Sequence, residues 1–256
     1  MALMTAMLRR LGHRPRPARA RPPHDLSPYA AAVMALATVR QPLHIVVVGA
    51  NDGRINDPLY ATIRAHLAGV STLTLIEPQA QLAEPLRENY AFHPDVHILN
   101  RAVGAGEELT LHAVKRAYWG AVQPTYAADW PEYRAPTGVT STDRQHVASW
   151  LKRHLPPPAD PEDAIETFRV PGGALPGILE QHGRPLAVDV LQVDAEGADD
   201  AVIRAAGLER TCPRLIFFEA DSLEAGRLAS LRAFLTEAGY VLTAHGRDCL
   251  AIRVGG

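Results

Sequence analysis

Asp194 and Glu196 follow an apolar run and precede Gly197. Another acid, Glu77, closes a second apolar run, and after a third run Gly49 and Gly53 bracket Ala50, Asn51 and Asp52. Glycines at a strand end permit unusual φ and close backbone approach. Amides of the turn that follows hold a negative or polar group, and an acid at the next strand end accepts hydrogen bonds from ribose hydroxyls. The pattern suits a nucleotide-type cofactor. Asp194 is then placed to contact cofactor or acceptor, and Glu196 to act as a base or to bond the turn amides. Asp199 and Asp200 read as acids that complement a helix dipole. Glu219 and Asp221 close a further run and are candidates for an acceptor pocket, with Tyr118, Trp119, Tyr126 and Trp130 as a stacking wall or as ordinary packing.

The choice of cofactor turns on the glycine loop. A dinucleotide fingerprint is G-x-G-x-x-G, whereas Gly49-Ala-Asn-Asp-Gly53 lacks the close glycine pair that admits a pyrophosphate. Asp52 would also repel one. A carboxylate there suits a cationic amino-acid end, so the loop favours S-adenosylmethionine, with S-adenosylhomocysteine as product, over NAD. An NAD-type oxidoreductase is the alternative from another class. The spacing of Asp194, Glu219 and Asp221 does not call for a metal ion.

The elements that position these residues alternate. Residues 28–40 read as a helix capped by Ser27, with Pro28 at its first position. The Ile/Val-rich run 43–49 reads as a strand buried on both faces. A helix over 57–68 with Asp57 as cap, a strand over 72–77, a helix over 79–91 and a strand at 96–99 follow. Residues 108–112 alternate as an edge strand or hairpin arm. Residues 115–170 break the pattern as a Pro-, Trp- and Tyr-containing insertion with a helix near 143–154, and such insertions shape substrate sites. Then come a helix (175–182), a strand (186–194), a helix (198–206), a strand (214–219), a helix (222–238) and a closing hairpin of 240–243 with 249–253. The expected fold is α/β: a Rossmann-like doubly wound sheet. Residues 28–256 are expected to form one domain behind a basic tail, 1–27.

Val48-Gly-Ala-Asn-Asp-Gly53, Asn56-Asp-Pro-Leu-Tyr60, Ile76-Glu-Pro-Gln79, Asn100-Arg-Ala-Val-Gly104 and Leu191-Gln-Val-Asp-Ala-Glu-Gly197 occur in that order. Together they resemble the FkbM-type S-adenosylmethionine-dependent methyltransferases, over about residues 43 to 253. The resemblance implies a class I methyltransferase sheet, mostly parallel with an antiparallel closing strand. It implies methyl transfer, most often to a hydroxyl of a sugar, small metabolite or natural-product intermediate. Carboxyl or N-methylation stays open. It extends the cofactor set to Pro78, Arg101 and Ala102. Thr142-Asp-Arg-Gln-His-Val147 is similar to a segment of nearer relatives and makes His146 a candidate base. Arg144 becomes a candidate for an anionic acceptor group or a partner of Asp143.

Bulk properties narrow the partners. Residues 1–24 carry six arginines and no acid, so the rest of the chain is at −8 against −2 overall. That argues against a nucleic-acid-binding body. The arm reads as a disordered tail, with docking of an anionic partner as the other reading. A small-molecule acceptor is the expected partner, and a homodimer is left open. With Cys212 and Cys249 alone there is no disulfide framework or zinc spacing. No apolar run spans a membrane and no secretory h-region opens the chain, so a cytoplasmic setting is expected. Lysine occurs only at Lys115 and Lys152 among abundant arginine, a coding bias of GC-rich bacteria.

Overall fold

The structure is a computed structural model that describes residues 26–254. Almost all of the basic tail, with its docking reading, lies outside the described residues.

The chain opens on helix α1 (Pro28–Val39), where Ser27 accepts a hydrogen bond from the Ala30 amide and Pro28 takes the first turn. Strand β1 (Leu43–Val48) is buried along its whole length. It pairs in parallel with β2 (Ser71–Ile76) on one side and β7 (Val190–Val193) on the other. The sheet continues through β3 (Val96–Leu99), β8 (Leu215–Glu219), β9 (Tyr240–His245) and β10 (Asp248–Arg253) in the order β3-β2-β1-β7-β8-β10-β9. Only β10 runs opposite to its neighbours. This is the α/β, Rossmann-like doubly wound sheet with an antiparallel closing strand. Its winding reverses between β1 and β7, and ligands of such sheets bind beyond the strand ends at that point.

Alternation along β1 supplies both cores. Ile45 and Val47 face a cluster with Leu73, Leu75 and Tyr29, while Val46 and Val48 face another with Leu191, Val193 and Phe218. Each such side chain contributes about 1.5–3 kcal/mol by leaving water, so the strand is apolar at nearly every position. Tyr29 of α1 stacks on Phe217 of β8 at 4.1 Å between ring centroids.

Several boundaries move for identifiable reasons. Helix α2 begins at Tyr60, not near Asp57, and widens from Tyr60–Thr62 into a π turn over Ile63–Leu67. Asp57 spends its Oδ1 on the Leu59 and Tyr60 amides and its Oδ2 on the Gln192 side chain, which ties this loop to β7. The expected helix over 79–91 enters through a 3-10 turn (Ala80–Leu82) before α3 (Ala83–Asn89).

The larger correction concerns the insertion. Strand β5 (Glu108–Val114) pairs antiparallel with β6 (Ile165–Gly173), which also holds the short β4 (Ala102–Val103) in parallel. The excursion between β5 and β6 therefore ends before Ile165, and residues assigned to it belong to a second sheet. It carries α4 (Arg134–Thr137) and α5 (Arg144–His154), the latter capped by Asp143 on the Gln145 amide. Val147, Trp150 and Leu151 of α5 build a separate small core with Val114, Val122 and Ile165. The remaining helices are α6 (Leu175–Gln181), α7 (Asp199–Ala205), α8 (Leu208–Thr211) and α9 (Ala225–Glu237). No helix among the described residues is long and apolar enough to cross a membrane.

Candidate active site

The site starts from a backbone contact. Gly49 leaves β1 at φ +79°, and a Cβ there would lie 1.8 Å from the Asp194 carbonyl oxygen. Only glycine allows both the left-handed φ and the contact. The loop after β1 is thereby pressed against the loop after β7. Its amides at Gly49 and Ala50 both donate to the Ile76 carbonyl.

Glu77 follows β2 and is buried. Its Oε2 accepts from the Asn51 amide at 2.8 Å, and its Oε1 from the Gln79 amide at 2.9 Å and the Gln79 side chain at 3.2 Å. Burial raises its pKa and these hydrogen bonds oppose the rise. Gln79 also donates to the Thr137 carbonyl, and Asn51 to the Thr137 hydroxyl. Thus α4 of the excursion between β5 and β6, the cap of the site, is latched onto the loop after β1 and onto the acid after β2. An open cleft of ≈ 910 Å³ lies here, lined by Gly49, Asn51, Glu77, Pro78, Arg101, Ala102 and Asp194. Thr140, whose buried Oγ1 has no hydrogen-bond partner, lines it too.

A second, wider cavity of ≈ 1570 Å³ opens beyond this cleft under the cap. The two share Arg134, Gly138, Asp194 and Glu196. No side chain among the described residues hydrogen-bonds the Asp194 carboxylate, and its pKa is pushed well up by burial and by Glu196, Asp199 and Glu219. Glu196 sits at φ +47° and its Oε2 lies 3.4 Å from His146 Nε2. Ser141 donates to the Glu196 carbonyl at 2.8 Å, which pins this strained turn to the cap. The Glu196 carboxylate, facing Nε2 as an acceptor, raises the His146 pKa against a smaller opposing effect of burial. His146 enters from α5, so strand-end acids and cap histidine meet only across the domain. Tyr126, Trp130, Trp150 and His154 line the far wall in edge-to-face and tilted contacts.

Asp199 lies in the first turn of α7, as expected of a dipole-complementing acid, and does more than that there. It is fully buried, and its two oxygens accept from the Glu219 amide at 3.2 Å and the Ala195 amide at 3.4 Å. One carboxyl thus clamps the ends of β7 and β8. Burial and nearby Glu219 push its pKa up to about 8. Asp200 instead pairs with Arg227. Glu219 lines the wider cavity and is held by Arg247 at 2.9 Å; Arg247 also pairs with Asp221 at 3.2 Å.

Five expected site residues are placed elsewhere. Ala50 is packed in the sheet core, and a Cβ on Gly53 would point at Tyr90 and Leu86, away from the cleft. Asp52 is buried with its carboxylate turned into the loop. It accepts from the Arg54 and Ile55 amides and from Tyr133 Oη, and it pairs with Arg134 at 3.6 Å. Arg144 is bound by Glu162 at 2.8 Å on the outside of the cap, and not by Asp143 or in the cavity. Trp119 donates its indole N–H to the Val114 carbonyl and packs in the cap core. Arg134, which sequence reasoning passed over among so many arginines, lies where the two cavities meet.

Among curated proteins none matches the chain in sequence. Solved structures resemble it distantly. A methyltransferase from Geobacter sulfurreducens is 15% identical, with 88% of this chain and 78% of that chain covered and a TM-score of 0.42. A putative O-methyltransferase from Klebsiella pneumoniae is 16% identical, with 91% and 84% covered and a TM-score of 0.41. Precorrin-6y C5,15-methyltransferase from Geobacter metallireducens is 12% identical, with 87% and 85% covered and a TM-score of 0.38. The family model for the methyltransferase FkbM domain matches residues 48–242, the span that carries both the cleft and the cap. The chain belongs to the FkbM methyltransferase family.

Proposed function

We propose that this methyltransferase uses S-adenosylmethionine to methylate a hydroxyl of a small acceptor, such as a sugar, metabolite or natural-product intermediate. Membership of a methyltransferase family displaces the oxidoreductase alternative. The residues of the cleft fit the cofactor. Among the described residues Glu77 Oε2 has one donor only, the Asp194 carboxylate has none and Thr140 Oγ1 has no partner, so acceptors for hydroxyl and ammonium groups line one cleft. Glu77 with Pro78, Arg101 and Ala102 would take the adenosine side. Gly49, Asn51 and Asp194 would take the amino-acid side. When bound, the cofactor supplies an electrophilic methyl on a sulfonium.

The observation that carries hydroxyl methylation is the His146–Glu196 pair at 3.4 Å beside the junction of cleft and cavity. A hydroxyl acceptor would have to lose its proton on methylation, so the site needs a base. His146 Nδ1, the ring nitrogen that Glu196 does not engage, takes that proton. The Glu196 carboxylate stabilises the resulting imidazolium. Glu219 and Trp130 line the cavity in which the acceptor would lie.

The test is calorimetric binding of S-adenosylhomocysteine against NAD and NADP, followed by labelled-methyl transfer to hydroxylated and carboxylated acceptors. S-Adenosylhomocysteine alone should bind, and His146→Ala should lower turnover on hydroxyls by ~10²–10⁴-fold. Near-full turnover of both His146→Ala and Glu196→Gln would sink hydroxyl methylation, because an ionised carboxylate acceptor needs no base.

A further inference from the structure

Arg134 is 8% exposed, although it sits on the short helix α4 of the cap. Its Nε and Nη2 grip the Ile55 carbonyl at 3.2 and 2.9 Å, its Nε lies 3.6 Å from Asp52, and Trp130 stacks against it at 5.4 Å from the ring centroid. Nη1 makes no hydrogen bond among the described residues. A Cβ on Gly138 would come within 2.7 Å of it, so glycine leaves that nitrogen room beside the cavity junction. The junction is also lined by Asp194, whose carboxylate accepts no hydrogen bond among the described residues. The two charges are close enough for the guanidinium to lower the Asp194 pKa, yet they form no ion pair. A buried cation and a half-buried anion that line one space without closing on each other leave room for a molecule carrying both charges.

We infer that Arg134 and Asp194 are the two poles of a zwitterion site, in which the cap guanidinium takes the α-carboxylate of the cofactor and Asp194 its α-ammonium. This rests on the S-adenosylmethionine reading above. The position favours the cofactor over an acceptor anion. The sulfonium methyl must lie at the junction to meet the acceptor, which brings the amino-acid end beside it. Arg101 also lines the cleft, but it follows β3 on the adenosine side and does not reach the wider cavity. Asp52 acquires a role here: it orients the guanidinium instead of meeting the cofactor. A fork already held by a carbonyl and a carboxylate loses little freedom on binding. The cap thereby belongs to the cofactor site as well as to the acceptor site.

The test compares S-adenosylhomocysteine with 5′-methylthioadenosine, which keeps the thioether and adenosine but lacks both charges. Both are titrated calorimetrically into the wild type, Arg134→Met and, as a control, Arg101→Met. Arg134→Met should weaken S-adenosylhomocysteine by ~10- to 100-fold, the worth of a charge-assisted hydrogen bond, with 5′-methylthioadenosine within ~3-fold. Arg101→Met should leave the ratio of the two affinities unchanged. Equal weakening of both ligands by Arg134→Met would make Arg134 a latch of the cap only and overturn the inference, as would no weakening of either. If the methionine variant does not fold, Arg134→Lys decides: it keeps the charge but loses the fork. It should selectively weaken S-adenosylhomocysteine by ~3- to 10-fold, and an unchanged ligand ratio would overturn the inference. Failure of the wild type to bind either ligand would instead remove the cofactor reading itself, and the zwitterion site with it.

Discussion

Gly49 and Asp194 touch through their backbones: a Cβ on the first would lie 1.8 Å from the carbonyl oxygen of the second. The contact joins the loops after the two strands between which the winding of the sheet reverses. It holds the wall of the cleft and Asp194 in one register. Gly49→Ala must move one loop and also strain a residue at φ +79°. The expected cost is at least about 2–3 kcal/mol, read as a fall in thermal midpoint of roughly 5–10 °C, with loss of S-adenosylhomocysteine binding. An unchanged midpoint would mean that the loops separate freely.

With His146 as the proposed base, His146 and Glu196 should set the acid limb of the pH profile. Glu196 raises the folded-state pKa of His146 above 6.5. A base works only when deprotonated, so kcat/KM on a hydroxyl acceptor should rise as pH increases through that raised value. Glu196→Gln removes the hydrogen-bonding charge and should shift the limb to lower pH, with turnover reduced but measurable. A limb that stays in place in the glutamine variant would take the pair out of the proton transfer.

Asp199 clamps two strand ends, and its removal should act at a distance. Asp199→Ala leaves the Ala195 and Glu219 amides without their carboxyl partner, a cost of about 1–3 kcal/mol. Its folded-state pKa is raised from 3.8 to about 8. In that interval the folded state holds a proton that the unfolded chain has lost, so this group makes stability fall as pH rises from 4 towards 8. Urea denaturation across this range should show a smaller fall in Asp199→Asn than in the wild type. Identical slopes would show that Asp199 is ionised at neutral pH.

His44 lies at the opposite end of β1, outside the site. Its Nδ1 meets the Ala187 carbonyl at 2.9 Å, and its Nε2 meets the Thr74 hydroxyl at 3.0 Å, on which Arg184 Nε also converges at 3.4 Å. Burial lowers its pKa below 6.5. The folded state holds it neutral while the unfolded chain protonates at 6.5, so its stabilising contribution is present above that pH and is lost as pH falls through the lowered folded value. His44→Gln should flatten the decline in thermal midpoint between pH 7 and 5. A decline as steep as in the wild type would place its origin in other groups.

The sheet and the residues that line its cleft are legible in the sequence. Runs such as Leu43–Val48 and Leu215–Glu219 are apolar because both faces of these strands are buried, and Gly49, Glu77 and Asp194 are legible because a strand end places its next residue predictably. Local spacing carries that information. What only the tertiary structure decided depends on contacts remote in sequence. Strand β6 was read partly as insertion because its partner, β5, lies across the whole cap. Asp199 is legible as an acid of a helix first turn, but its clamp on β8 through the Glu219 amide is set by packing. Asp52 was aimed at a cofactor until Tyr133 and Arg134 of the cap claimed its carboxylate. Arg134 carried no distinguishing sequence signal. A guanidinium is soluble anywhere on a surface, and its burial at the junction of two cavities follows from the cap folding back onto the loop after β1, which no local pattern encodes.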